Sequence, residues 1–508
     1  MAPIALFSLW DTTNVDRYAR ALVELGWKIL ATRETVEILE KENIPCMDMA
    51  EYVDVHTDYG IPPTLHPKIE NALTMQDAAE RIELVYVISY PISVGSDIGG
   101  RTLLGLAAKG NRLPVISPGD LEEVIQALQD EGRVPDEFRR ELIQKTNAEI
   151  AAHYVNLIAA EDSWNYAGAV GIRHYDLLNG ENPYQQAAFY RVQSEDDLAL
   201  AAFEHLGTTP PCLTNLADVD SVLNTMCLAA EAFRLRYGKQ PYLAIGSKHG
   251  NPCGMAVSWD DPKDAIEKAL FGNPLAVWGG ELIVNFAIEE DMADIVVRHP
   301  RREEMLGSAA WMLDEVIAPD YAPKAAERLL KRISRKVYRN PALSNPHLPT
   351  DRYSYRWVRS GFIRQTPPWR VLRFEELEST GSSYSQVDVD SMIIAWATAF
   401  TSFHGGNEIA LAKDGALIGA GGGPSTVQAA RVAVMRAGEA QHDTERSIFC
   451  ADAFFPFTDA PEVLIEAGVK LGSVPAGGKN EPLVRKLFTE KNVEMFYLPE
   501  DFRGFCRH

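Results

Sequence analysis

The chain has no run of about 18 consecutive apolar residues, which removes a membrane-spanning helix from consideration. Its N-terminus, Met1-Ala2-Pro3-Ile4-Ala5-Leu6-Phe7, lacks the basic flank and cleavage site of a secretory signal, so a soluble, cytoplasmic protein is expected. Positive charge is also in short supply. With 49 Lys+Arg against 71 Asp+Glu the formal charge is -22, which argues against nucleic acid or an anionic membrane surface as the main partner. A locally basic pocket for a small anion remains compatible with that balance. Cysteine is sparse: Cys46, Cys212, Cys227, Cys253, Cys450 and Cys506 lie far apart, with no C-x-x-C and no histidine cluster at metal spacing. They read as free thiols, and no structural zinc is expected.

What remains is an ordinary globular composition, 46% hydrophobic and 24% charged, with no low-complexity tract. At 508 residues the chain exceeds what one core usually serves, so two or three domains are expected. Residues 3 to about 150 alternate strand-like runs (Ile4–Phe7, Lys28–Ala31, Leu84–Ser89, Leu113–Ser117) with helical ones (Val15–Leu25, Val36–Glu42, Leu121–Asp130). That rhythm predicts a parallel sheet covered by helices. A helical stretch over 134–160 would connect this part to the rest. The organisation expected is therefore a domain over 1–160 and two sub-blocks over 161–370 and 371–508, divided near Gln365-Thr366-Pro367-Pro368. No internal repeat is legible.

The stretch with the most chemistry is Ile245-Gly246-Ser247-Lys248-His249-Gly250-Asn251-Pro252-Cys253-Gly254, where an apolar strand-like run delivers a Lys-His pair to a turn. It is preceded by Gly180-Glu181-Asn182-Pro183-Tyr184-Gln185 and followed, in chain order, by Trp278-Gly279-Gly280, Ile317-Ala318-Pro319, Ala412-Lys413-Asp414-Gly415 and Asp452-Ala453-Phe454-Phe455-Pro456-Phe457 with Asp459. In this order the set resembles the bifunctional purine-biosynthesis proteins that combine AICAR transformylase with IMP cyclohydrolase. The family's K-H-x-N-P-C-G and G-E-N-P-x-Q are met in full, and its D-A-F-F-P-F-R-D is met except that Thr458 replaces arginine.

The resemblance implies an α/β chain: an N-terminal doubly wound domain like methylglyoxal synthase, then two cytidine-deaminase-like α/β subdomains without zinc. It also implies 10-formyltetrahydrofolate as cosubstrate, small-molecule substrates, and a homodimer with its sites at the subunit interface. A monovalent cation in the second part is left open. Formyl transfer passes through a tetrahedral intermediate, which requires deprotonation of the amine and neutralisation of a developing oxyanion. An imidazole with its unperturbed pKa near 6.5 suits the first task, so His249 is the candidate base. Lys248 would supply positive charge, and Asn251 and Asn407 would orient the intermediate. The matched positions make Asn182, Gly280, Asp459, Phe454 and Arg503 candidates for substrate binding, Phe454 and Asp459 on the folate side. Cys253 reads as core packing.

The departures concern nucleotide recognition. Where the family has S-D-K-T, S-T-G-G-T and R-V-K-T-L-H-P, this chain has Trp10-Asp11-Thr12-Thr13, Ala31-Thr32-Arg33-Glu34-Thr35 and Pro62-Pro63-Thr64-Leu65-His66-Pro67. Both lysines are lost, and two glycines that would admit a phosphate have become Arg33 and Glu34. Tyr90-Pro91 and Asp97-Ile98-Gly99-Gly100 persist, and the fold explains them equally well. Cyclohydrolase activity is therefore expected to be absent. The family's L-R-Y-G has become Leu177-Leu178-Asn179-Gly180, and an arginine after the Gly-rich turn is replaced within Gly421-Gly422-Gly423-Pro424-Ser425-Thr426. Charge-assisted hydrogen bonds to an anion contribute about 1.5–3 kcal/mol each, so phosphate would be held by other groups, Arg503, Arg173 or Arg431. The expected function is formyl transfer to AICAR or a related aminocarboxamide. Transfer to a different amine of specialised metabolism is the alternative, and an inactive scaffold a third.

Overall fold

In the computed structural model, residues 2–57, 59–160, 164–192, 194–349, 353–381 and 383–504 are described; Cys506 lies outside them. The chain divides into two compact units, Met1–Arg173 with Tyr190–Gln193, and His174–Phe189 with Ser194–His508.

The first unit is built on β1 (Ile4–Leu9), β2 (Lys28–Ala31), β3 (Cys46–Asp48), β4 (Ile82–Ile88) and β5 (Leu113–Val115). All pair in parallel, in the order β3-β2-β1-β4-β5. β1, β2, β4 and β5 bury residues on both faces, as a parallel sheet requires, and the edge strand β3 is partly exposed. Ala5 and Phe7 join one apolar cluster with Tyr18, Leu22 and Val124, while Ile4 and Leu6 join another with Ile69, Leu103 and Leu104. Helices thus cover both sides: the parallel, helix-covered sheet read from the βαβα rhythm is present, in the doubly wound form that the resemblance implies. The helix Val15–Glu24 shows the cause: its buried residues Val15, Tyr18, Ala19 and Leu22 recur at helical spacing along one stripe. The helical stretch expected over 134–160 is the helix Asp136–Ala160, which lies within the first unit. Between β1 and β4 the winding reverses, which makes Trp10-Asp11 and Tyr90 the mouth of the switch point.

Short ribbons, β6 (Ile172–Asp176) with β7 (Ala188–Arg191) and β14 (Ser354–Val358) with β15 (Gly361–Gln365), accompany the main sheets. The second unit is organised by one mixed sheet of twelve strands, and its halves have the same plan. The first half is the helix Leu213–Tyr237, the hairpin β9 (Tyr242–Lys248) and β10 (Asn251–Ser258), then β11 (Glu281–Val284), β12 (Glu315–Ala318) and β13 (Lys336–Arg339), with β8 (Glu204–His205) at its edge. The second is the helix Gln386–Thr401, the hairpin β17 (Asn407–Lys413) and β18 (Ala416–Gly423), then β19 (Ile448–Ala451), β20 (Leu471–Pro475) and β21 (Glu494–Leu498), with β16 (Glu378–Ser379) at its edge. The spatial orders are β10-β9-β11-β12-β13 and β18-β17-β19-β20-β21, and the halves join where β10 meets β18 antiparallel at Ala256 and Ala416.

The chain is therefore α/β, with a parallel sheet in the first unit and a mixed sheet in the second. Residues 365–370 lie inside the second unit, whose sheet continues on both sides of them. The repeat that was not legible in the sequence is plain in the topology. It also has a sequence trace, because Asp218-Val219-Asp220-Ser221 and Asp388-Val389-Asp390-Ser391 occupy the two corresponding helices.

Candidate functional site

Lys248 ends β9 and pairs with Asn251 across a two-residue turn, His249-Gly250. Both turn residues have positive φ, 54° and 70°, as a type I′ hairpin demands. Gly250 is required twice over, since a Cβ there would also stand 2.7 Å from Ser221 Oγ and 3.1 Å from Phe403 Cζ. The turn holds the His249 side chain exposed, while Lys248 is half-buried and its Nζ donates to Gly279 O. Gly280 follows for steric reasons: a Cβ would lie 2.1 Å from Ser247 O. The Trp278-Gly279-Gly280 element is thus the floor under the lysine.

Asn251 joins this turn to the second half. Its Oδ1 accepts from Phe403 N at 2.8 Å and its Nδ2 donates to His249 O at 3.1 Å. Four residues beyond Phe403, Asn407 opens β17 and donates to Gly423 O at 3.1 Å. Its neighbour Glu408 is buried, and its carboxylate accepts from Gly405 N at 2.9 Å and contacts His404 Nδ1 at 2.7 Å. Glu408 N in turn donates to Asp452 Oδ1 at 3.0 Å. Burial, reinforced by the charge of Glu408, pushes the Asp452 carboxyl up to about 8. Asp452 opens the segment carrying Phe454, and its carbonyl accepts from Gly504 N at 3.0 Å. The Arg503 guanidinium lies over the Phe454 ring at 5.5 Å.

Hydrogen bonds, with the backbone from Phe403 to Gly405 as one covalent step, therefore link the Lys248-His249 turn through Asn251 and Glu408 to Asp452, beside Phe454 and Arg503. Asp459 is exposed at the start of the helix Asp459–Glu466, its Oδ1 accepting from Ala460 N at 2.9 Å. Asn182 is exposed, and its Nδ2 donates to Gln185 of its own loop at 3.0 Å. That loop is tied to the helix bearing Ser221 by Leu213 N donating to Asn179 O at 3.0 Å. Cys46, Cys212, Cys227, Cys253 and Cys450 are free thiols, and burial pushes Cys253 up to about 12, an inert thiol.

Sequence reading missed Ser221, Phe403, His404, Glu408, the half-buried Asp218 and two buried carboxyl groups, Glu281 and Glu315. The repeated Asp-Val-Asp-Ser tetrapeptide was the available signal for Asp218 and Ser221. Nothing comparable marks Glu281 or Glu315, whose burial depends on strand register.

In the first unit, the switch point carries the opposite of an anion cradle. Asp11 accepts from Thr13 N at 2.9 Å and Thr13 Oγ1 at 2.6 Å, and these bonds hold its carboxyl below the usual range. A fixed negative charge thus stands just before the helix Val15–Glu24. Trp10, largely exposed, meets Tyr90 edge to face at 6.0 Å. Arg33 pairs with Asp48 at 3.5 Å. Asp97 and Gly100 are explained by the fold: Asp97 Oδ1 caps its helix by accepting from Gly100 N at 2.8 Å, and a Cβ on Gly100 would lie 2.8 Å from Val87.

Fold and site together define an α/β chain of enzyme type, with a doubly wound unit and a duplicated sheet that brings polar side chains to a hairpin turn. The sequence model of the AICARFT/IMPCHase bienzyme family matches residues 107–436, more than half of the chain, and the protein belongs to that family. A relative, the bifunctional purine biosynthesis protein PurH of Persephonella marina (strain DSM 14350 / EX-H1), is 26% identical over 537 residues, covering 97% of this chain and 98% of its own. A solved structure described as the crystal structure of ForH is 24% identical, covers 31% of this chain and 98% of its own, and superposes with a TM-score of 0.28.

Proposed function

We propose that the protein transfers a formyl group from 10-formyltetrahydrofolate to the amine of AICAR or a closely related aminocarboxamide, in the cytoplasm and as a homodimer. Membership of the family supports formyl transfer in purine biosynthesis as the reaction class. The observation that carries the reading for this chain is the path joining the Lys248-His249 turn to the end of the second hairpin that bears Asn407. His249, exposed on a fixed turn, takes the proton from the attacking amine. Lys248 faces the oxyanion that develops on the formyl carbon, and Asn251 and Asn407 orient it. Phe454 stacks on the folate ring, Asp459 and Gly280 line that side, and Asn182 and Arg503 contact the acceptor.

A second reading, transfer to a different amine, is favoured by one specific observation. The loop 177–180 presents Leu177-Leu178-Asn179-Gly180 where the family places an arginine and a tyrosine. The first unit is proposed to serve structure alone, with no cyclohydrolase activity; Asp11 at its switch point supports this. The test mixes the purified protein with 10-formyltetrahydrofolate and either AICAR or other aminocarboxamides and follows release of tetrahydrofolate. Release with AICAR supports the first reading, and release only with another amine supports the second.

A further inference from the structure

The face of the second sheet under the helices Leu213–Tyr237 and Gln386–Thr401 can be compared row by row between the two halves. In the first half Ile245, Ile283 and Ile317 lie in register and are fully buried. Two residues along each strand, the next row on the same face is Ser247, Glu281, Glu315 and Lys336. The corresponding row of the second half is Ala412, Ile448, Leu471 and Glu494. There Ile448 and Leu471 pack with Met392 and Phe496 as plain hydrocarbon. The second half therefore builds the buried centre of this row, Ile448 and Leu471, without carboxyl groups and leaves its one glutamate, Glu494, exposed at the end, whereas in the first half Glu281 is 3% exposed and Glu315 is 0% exposed. Burying unpaired carboxylates costs several kcal/mol each, so their presence in one half calls for a role beyond packing.

Burial and a neighbouring carboxyl group favour a proton on Glu281, against one bond, from Ser247, that favours the carboxylate. Ser247 Oγ donates to Glu281 Oε2 at 2.8 Å, and Asp218 hydrogen-bonds the same carboxyl from the adjacent helix. Two carboxyl groups in hydrogen-bond contact share a proton. Neither oxygen of Glu315, on the next strand, has a hydrogen-bond partner, which suits a neutral acid. Burial first, and then the charge of Asp218, pushes Glu281 up to about 8; burial and the charges of Glu281 and Asp218 raise Glu315. Asp388, the counterpart of Asp218, meets a cation instead, Lys470 Nζ at 2.5 Å. The titratable groups facing Glu281 are Asp218, Lys248, Glu315 and Cys253, and those facing Glu315 further include Lys336, Tyr338 and Cys212.

Lys248 is one residue from Ser247, and its Cδ lies 3.3 Å from where Gly280, the residue before Glu281, would carry a Cβ. We propose that Glu281 is a positioning residue for Lys248: its retained proton leaves the lysine charge unneutralised for an anion at the turn, and loss of that proton to solvent neutralises it. The catalytic meaning rests on the reading of Lys248 under Proposed function; the charge coupling does not.

The test is competitive labelling of Lys248 with acetic anhydride in the full chain, read by peptide mass mapping, beside the formyl-transfer assay. Wild type and Glu281→Gln should label alike at about pH 7. At about pH 9 the variant should label about threefold faster or more, the effect of half a pKa unit, because no second carboxylate holds the lysine's proton. Asp218→Asn should move the wild-type break to lower pH. Glu281→Ile, which installs the residue found at 448, should behave as Glu281→Gln and guards against a folding defect in either variant. In the transfer assay the alkaline fall of wild type should be absent from both Glu281 variants. One common labelling curve for all four proteins overturns the proposal. Labelling that responds as stated, with no transfer by any protein, leaves the coupling standing and removes the functional reading instead.

Discussion

Lys248 and Lys413 occupy one and the same position in the two halves of the second unit. Each ends its hairpin's first strand and precedes a two-residue turn of positive φ, His249-Gly250 in one and Asp414-Gly415 in the other. Their surroundings differ. Lys413 Nζ is paired with Asp443 at 2.8 Å, whereas Lys248 lies over Gly279 beside an exposed imidazole. Substituting each by methionine should separate the halves: Lys248→Met should lower formyl transfer by roughly 10²–10³-fold, the effect of removing one oxyanion donor. Lys413→Met should leave the rate within about twofold and cost at most about 1 kcal/mol, the worth of a partly exposed ion pair. Equal losses in both variants would refute the assignment.

The turn itself can be separated from its imidazole. His249→Gly keeps a residue suited to positive φ, so chemical denaturation should show a stability near that of wild type while transfer falls by roughly 10²–10⁴-fold. Gly250→Ala should do the opposite first, destabilising the unit by roughly 1–3 kcal/mol through backbone strain, with the contact to Ser221 adding to it. A Gly250→Ala protein as stable as wild type would contradict the turn geometry.

The buried Asp452 gives a pH prediction. Its folded pKa, about 8, is raised above the unfolded carboxylate value. The folded state thus holds a proton that the unfolded chain has released, and the associated stability is complete below the unfolded pKa and lost as pH rises through about 8. Asp452→Asn keeps an acceptor for Glu408 N and cannot ionise. Its melting temperature should fall less than that of wild type between about pH 5 and pH 9, by a few degrees. A steeper fall in the variant would reverse the sign and reject the burial argument.

For the first unit, formyl-AICAR should close to IMP no faster with the protein than without it, and Asp11→Asn should leave formyl transfer unchanged. Accelerated closure would show that the altered switch point still binds the nucleotide.

How much of this was legible in the sequence depends on the range of the forces involved. Strand and helix periodicity in residues 3–150 led directly to a parallel sheet covered by helices, because apolar spacing reports local burial; its doubly wound order came only with the family resemblance. Lys248, His249 and Gly250 were legible for a similar reason: turn chemistry is written in adjacent residues. The duplication was not, since β9–β10 and β17–β18 share geometry with little sequence beyond a lysine, a glycine and the Asp-Val-Asp-Ser element. The buried row of Glu281 and Glu315 was invisible as well. A glutamate reads as surface until register sets it between Ser247 and a neighbouring strand.

As proposed above, the Lys248-His249 turn is the acid-base centre of a formyl transfer. The most direct measurement is the single-turnover release of tetrahydrofolate when the protein is mixed with 10-formyltetrahydrofolate and AICAR, or a related aminocarboxamide, compared between wild type and His249→Ala. Wild type should release tetrahydrofolate, and the variant should lose roughly 10²–10⁴-fold of that rate, the size of a general-base contribution. Release at the same rate from both proteins would contradict it.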